Sequence, residues 1–322
     1  MRKIACLLAA ILLGTGTCLA QHIGTEYRLK KVIPVAGRQG IAIDNDYYYV
    51  SDTRALYKYD KEGTMVMKND APFHHPELAN HFGDIDIFNG EIYTGNEKFE
   101  YGRGYNISID VYDAKTLKWK RTIPWCAESG QVECSGVAID REKNEIWLSD
   151  WVDSRYVYCY SLETGKYYTK MQNRPCPYWT QGIFIADGKM LMACDDGEAT
   201  YHIPDNIYIA DISNVPYTGL KQGTEPVKKN PWEVELKDGK VVTRTGEIAA
   251  GAKAGRLTLF REMGDFRRAG EIEGLAIDPA NDDLVVLNNR GTQIILGMSQ
   301  GPFKEEGYTK EIHELYVYEK VK

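Results

Sequence analysis

Six histidines occur in the 322 residues, and three of them, His74, His75 and His81, fall in one short segment. Imidazole is the side chain whose proton affinity lies nearest neutral pH, so this segment is the chain's best source of acid–base chemistry. His81 and His75 are the candidate catalytic residues. Neighbouring side chains in an extended segment diverge, so His74 and His75 do not address one point. Their spacing matches no zinc motif. His202 lies in another polar segment and joins them only if the fold brings the two together.

Carboxylates supply the other half of the candidate chemistry. Glu273 stands immediately before a glycine that opens a strand pattern. A carboxylate there points into a partly desolvated space, where it needs a cation or a proton. Asp84 lies one residue inside a strand, where it or its neighbour Asp86 is expected to turn inward. Asp150 and Asp195 end strand-like runs. Glu273, Asp84, Asp150 and Asp195 form an oxygen-rich candidate metal set that suits calcium or another divalent cation. Asp150, like Asp52, follows a serine, and such pairs also satisfy turn backbone groups. Asp44, Asp140 and Asp278 sit at turns and read as structural. Gln39, Ser135, Gln181 and Arg290 are polar candidates for ligand binding, joined by Trp151 and Trp179, whose flat faces suit a sugar ring or another planar surface.

The elements that must position these residues emerge from an internal repeat. Five segments begin with glycine and continue as a short strand: Gly40 to Asp44, Gly83 to Ile87, Gly136 to Asp140, Gly182 to Ala186 and Gly274 to Asp278. Each is followed by a tight turn and a second apolar run (YYYVSD, EIYTGN, EIWLSD, KMLMACDD, DLVVLNN). Asn89-Gly90 and Asp187-Gly188 are strong hairpin signals, because both residues of each pair tolerate positive φ. Third strands (ALYKYD, ISIDVYDA, RYVYCYSL, NIYIADIS, ELYVYEK) and fourth strands (GTMVMK, KWKRTIPW) complete units of 43 to 53 residues. That period and strand count predict an all-β propeller of four-stranded blades.

The gap from Gly182 to Gly274 is 92 residues, twice the usual period. Residues 231–262 fill it with a hairpin over Asp238-Gly239 and a further strand, RLTLF. Six blades are therefore expected, with five blades plus an insertion as the alternative. ELYVYEK lacks a fourth strand, and Tyr27 to Val35 is expected to supply it and close the ring, which hides the last free sheet edges. The long connections, 71–82, 94–106, 124–135, 173–181, 195–205 and 288–312, fall on one face. A rigid scaffold with loops elaborated on one face places the site there.

Arg2 and Lys3 precede an apolar run from Ile4 to Leu13, and Cys18-Leu19-Ala20 then offers small residues at cleavage spacing, the pattern of a secretory signal peptide over residues 1–20. Thr15, Gly16 and Thr17 make a poor lipoprotein signal. A periplasmic or secreted single domain over 21–322 is expected, without membrane insertion, and monomeric. The 39 Lys and Arg against 46 Asp and Glu give a net charge of −7, and removing the leader's two basic residues makes it −9. That balance argues against nucleic acid and anionic membranes as partners and favours a small-molecule or glycan ligand. In an exported protein Cys126 and Cys134, which bracket CAESGQVEC, are the pair to expect in a disulfide. Cys159, inside YVYCYS, reads as a small buried thiol.

The segments SGVAIDREKNEIWLSD and EGLAIDPANDDLVVLNN resemble repeats of the six-bladed propeller superfamily that includes the senescence-marker/gluconolactonase/paraoxonase enzymes and the NHL and strictosidine synthase-like proteins. The resemblance implies a calcium held at the channel mouth by a Glu, Asn side chains and an Asp. Glu273-Gly274 matches such a ligand in type, whereas Gln39, Ser135 and Gln181 stand where Asn-Gly pairs are expected. Two functions follow. One is a metal-dependent hydrolase of lactones, esters or phosphoesters. The other is a non-catalytic glycan- or protein-binding propeller.

Overall fold

The computed structural model describes residues 21–197, 203–213, 215, 235–237, 240–242, 254–266, 270–290 and 311–321. The leader, His202, the Asp238-Gly239 turn and most of the 288–312 connection lie outside them. No helix among the described residues is long and apolar enough to cross a membrane.

Short apolar strands, the inner ones buried on both faces, and the hairpin turns between them build five antiparallel four-stranded blades. Blade 1 contains β2 (Gly40–Ile43), β3 (Tyr47–Asp52), β4 (Ala55–Asp60) and β5 (Met65–Asn69). Blade 2 contains β6 (His81–Phe88), β7 (Glu91–Glu100), β8 (Arg103–Asp113) and β9 (Trp119–Pro124). Blade 3 contains β10 (Val137–Asp140), β11 (Glu145–Ser149), β12 (Tyr156–Ser161) and β13 (Tyr167–Gln172). Blade 4 contains β14 (Thr180–Ala186), β15 (Lys189–Cys194), β16 (Asn206–Asp211) and β19 (Leu257–Glu262). Blade 5 contains β20 (Glu271–Ile277), β21 (Leu284–Arg290) and β22 (Ile312–Lys320), with β1 (Tyr27–Val35) as its outer strand.

Six blades is thus corrected to five. The expected sixth blade dissolves because RLTLF pairs with β16, from Asn206↔Glu262 to Ala210↔Leu257, and so serves as the outer strand of blade 4. Within 231–262 the described residues of β17 (Glu235–Lys237) and β18 (Lys240–Val242) pair with each other as a separate two-stranded sheet. The segment 94–106, read as a loop, is a β-ribbon instead: pairs Lys98↔Tyr105 to Glu100↔Arg103 carry β7 and β8 past the blade.

Asn89 (φ 51°), Gly90 (75°), Asp187 (52°) and Gly188 (64°) take the positive φ values that two-residue hairpins require. Tyr49, Tyr112, Tyr158, Tyr160, Tyr316, Tyr318 and Trp147 are fully buried, so these rings fill space rather than meet a ligand. Cys159 is buried as expected, but the Cys126–Cys134 disulfide is not made. Cys134 packs into the core shared by blades 2 and 3, while the half-buried Cys126 thiol lies 3.2 Å from Glu128 Oε2.

The repeated glycines let the innermost strands meet at the axis. The Gly274 amide donates to the Gln39 carbonyl (3.2 Å), linking blade 5 to blade 1. A Cβ on Gly274 would overlap the Asp84 carboxylate and stand 2.7 Å from Gly40 Cα, neither of which can swing aside. Gly274→Ala is therefore expected to cost at least the upper part of the ~1–3 kcal/mol typical of overpacking. Gly264→Ala, which meets nothing within 4 Å, is the control. Denaturant melts of the two variants provide the measurement, and equal midpoints would contradict this account of the hub.

Candidate functional site at the propeller mouth

The register of blade 2 places His81 opposite Glu97 on adjacent strands, and His81 Nδ1 lies 3.2 Å from Glu97 Oε1. Glu133 reaches the same point from the segment that leads into blade 3. His81, Glu97 and Glu133 each offer a ligand atom, all within 4.8 Å of one another, and this is the one such group among the described residues. The backbone holds the outer oxygens in place: the Cys134 amide donates to Glu97 Oε2 (3.0 Å) and the Trp151 amide to Glu133 Oε2 (2.5 Å). Gly104 leaves the space that Glu97 occupies.

Burial dominates the electrostatics. It pushes Glu97 up to about 8. Glu133 is driven well above the usual range by burial and then by the charge of Glu97. His81, with 18% of its side chain exposed, is brought down to about 4 by burial and by Arg38. Near neutral pH the three are an uncharged imidazole and two acids holding protons, each a position a cation can take over.

A second cluster spans blades 4 and 5. Gln181 Nε2 donates to Glu271 Oε1 (2.6 Å) and Asn289 Nδ2 to Glu273 Oε1 (3.1 Å). Burial and the neighbouring Glu271 and Asp205 raise Asp195 to about 10. Burial raises Asp205 and Glu271 to about 7. Glu273 is pushed well above its usual range by burial and then by Glu271. Arg38, 3.4 Å from Asp52, is the cation whose field reaches both clusters.

The other sequence candidates are distributed as follows. Asp84, 0% exposed, sits at the hub, where its oxygens accept from the backbone amides of Ile85 (2.8 Å), Ile41 (3.1 Å) and Ile183 (3.2 Å). Asp150 accepts from the Glu133 amide (3.2 Å) and the Tyr158 hydroxyl (3.1 Å), so it shapes the segment that carries Glu133. His75 is exposed beside Glu77, apart from His81, and His74 stacks on Trp119. The Ser135 hydroxyl donates to the Thr180 carbonyl (2.7 Å) in the packed wall between blades 3 and 4. Gln39 is half-buried at the blade 1–blade 5 junction, and the Arg290 side chain lies outside the described residues. Trp151 and Trp179 stack with centroids 6.0 Å apart, and Trp179 and Tyr178 remain exposed. Asp44, Asp140 and Asp278 cap their turns, as in Asp44 Oδ1 accepting from Tyr47 N–H (2.7 Å).

Sequence reasoning missed Arg38, Glu133, Asp205, Glu271 and Asn289. Glu271 carried a signal, since it stands two residues from Glu273 in a strand pattern. The others depend on how separate blades meet.

The fold has a solved counterpart. The Myxococcus xanthus glutaminyl cyclase structure superposes with a TM-score of 0.53 over 92% of this chain and 97% of that one, at 10% identity. At that identity the likeness shows the β-propeller fold alone. A nidogen/laminin complex matches more weakly, with a TM-score of 0.38 over 56% of this chain and 61% of that one, at 9% identity. A scan of protein-family models and a search of curated proteins return no match.

Proposed function

We propose that the propeller mouth is a metal-assisted hydrolytic site for a small polar substrate, a lactone, ester or phosphoester, with the cation held by His81, Glu97 and Glu133. The observation that carries this is the convergence of one imidazole and two buried carboxyls from two blades within 4.8 Å. The donor set fits the group: backbone amides fix Oε2 of each carboxyl, so the oxygens a cation would take are Oε1 of Glu133 and Oε1 of Glu97, the latter now 3.2 Å from His81 Nδ1. An imidazole nitrogen among so few ligands favours a borderline ion such as Zn²⁺ or Mn²⁺ over calcium, which gathers six to eight oxygens. Such an ion supplies Lewis acidity toward a carbonyl or phosphoryl oxygen.

The chain's own residues do the rest. His81 stays neutral in its buried setting and keeps its lone pair available. Arg38, half-buried at the mouth, places a fixed positive charge where negative charge develops on the substrate. Trp151 and Trp179 form a flat wall for the substrate's apolar portion. In this reading Asp84 and Asp150 brace the site and do not ligate.

A non-catalytic reading, capture of a glycan or protein, draws on the exposed rings of Tyr178 and Trp179. The two separate on one experiment. Protein stripped with EDTA and reloaded with Co²⁺ is expected to show d–d absorption at one equivalent and metal-dependent turnover on a lactone and aryl-ester panel. Glu97→Gln and His81→Ala should lose both while keeping the wild-type circular dichroism. Absence of the Co²⁺ spectrum in folded wild-type protein would overturn the hydrolytic reading.

A further inference from the structure

The acids of blades 4 and 5 take no part in holding the cation proposed above, and they form a cluster of their own. Asp195 and Asp205 flank the β15–β16 connection, while Glu271 and Glu273 lie on β20. Asp195 lies beside both Asp205 and Glu271. Asp205 accepts from the Ile272 amide (2.9 Å) and the Gly197 amide (3.1 Å), and Gln181 and Asn289 each donate once, to Glu271 and Glu273. Asp195, Gln181 and Glu271 are partly exposed, so the cluster opens to solvent.

Asn289 provides a separate observation. It is 0% exposed, and its amide nitrogen is engaged by Glu273 Oε1 (3.1 Å) and the Arg38 carbonyl (3.3 Å). Its oxygen, buried beside the same carboxyls, has no donor. A buried acceptor left without a donor is costly, and so is a concentration of buried acids. Both costs are met by one kind of ligand group, a cation that brings several N–H donors. A single metal ion fits poorly, because among the described residues only the His81 group brings three ligand atoms within 4.8 Å. A primary ammonium, with three N–H bonds from one nitrogen, can donate to two of these carboxyls and to the Asn289 oxygen together. The Asp195 amide donates to the Trp179 carbonyl (3.0 Å), so the aromatic wall adjoins this cluster and can cover a carbon skeleton attached to the nitrogen.

We propose that Asp195, Glu271, Glu273 and Asn289 form a subsite for a primary ammonium group, so that the ligand of this propeller is an organic amine. The subsite goes beyond the hydrolytic reading and stands whether or not a cation binds at His81.

Calorimetric titration of the full chain at pH 7 in EDTA, with n-butylamine, n-butanol and tetramethylammonium as probes, tests it. Saturable binding of n-butylamine is expected, with no binding of butanol, which lacks the charge, or of tetramethylammonium, which lacks N–H donors. Glu271→Gln, at the rim, and Asn289→Leu should each weaken n-butylamine at least tenfold. Equal binding of either control probe, or unchanged affinity in whichever of the two variants folds, would overturn the proposal. Because chelator is present throughout, amine binding survives failure of the metal site, and the two results are read separately.

Discussion

Freed of divalent metal, the protein is expected to melt at progressively lower temperature as the pH is raised from 5 to 9. Glu97 rises from 4.5 to about 8, Asp195 from 3.8 to about 10, and Asp205 and Glu271 to about 7. When folding raises the affinity of an acid for its proton, the stabilisation is complete below the unfolded value. It is lost as the pH climbs toward the folded one. The window therefore opens near pH 4 and extends past 8. His81 works in the other direction, since its value falls from 6.5 to about 4, but only below pH 6.5 and as one group against several acids. A tenfold change in proton affinity on folding corresponds to about 1.4 kcal/mol. Neighbouring acids share protons, so their contributions add only in part. Together they still amount to several kcal/mol, or a fall on the order of 10 °C in a chain of this size. Glu97→Gln and Asp195→Asn should each flatten the slope and raise the melting temperature at pH 8.5. Saturating Zn²⁺ should also flatten it, because a cation replaces the protons lost from Glu97 and Glu133. A melting temperature that is level or rising between pH 6 and 9 would show that these acids do not hold their protons in the fold.

Replacing Asp84 is expected to be among the most destabilising single changes. Three buried amides, from Ile41, Ile85 and Ile183, belong to three different blades and end on this one carboxylate. Asp84→Leu leaves all three without an acceptor, at about 1–3 kcal/mol each. It also adds bulk where Gly40, Gly182 and Gly274 already press on the carboxylate. A loss of about 3–6 kcal/mol is a large part of the ~5–15 kcal/mol that holds a typical domain together. Asp84→Asn is milder: its oxygen can still serve Ile41 and Ile85, while its NH2 faces the Ile183 amide donor to donor. Urea melts rank the two variants against wild type. If Asp84→Leu melts with wild type, the carboxylate is not the hub's keystone.

The strands and their order were legible because the signal for them is local. All five glycine-led segments became the innermost strands, and the Asn89-Gly90 and Asp187-Gly188 turns fixed their hairpins, since positive φ at both positions leaves a chain little else to do. Blade number was less legible. RLTLF reads as a strand in either count, and only its pairing with β16, across an insertion of some forty residues, decides which blade owns it. The site divides in the same way. His81 could be paired with Glu97 by counting outward from the hairpin turn, with a one-residue correction at the bulge between Phe82 and Ile85. Glu133 could not, because its position depends on Asp150 and Trp151 of the next blade. Sequence left Asp84 and Asp86 both open to face inward, and both are buried; the amide partners of Asp84 lie 43 and 99 residues away, and these turn an apparent metal ligand into a structural one.

Blade 5 takes its outer strand from the other end of the described chain, Tyr27 pairing with Lys320. During synthesis, β1 must wait for nearly every other strand before it finds its neighbour, so among the described strand pairs this joint closes the longest loop and carries the largest closure entropy. Arg38 follows β1 by three residues, while Glu273 and Asn289 lie on the inner strands of the same blade. A ligand lodged among them would act as a clasp on that seam. Its residence time would then set how long the protein resists proteolysis, and protease survival would become a readout of occupancy requiring no knowledge of the reaction.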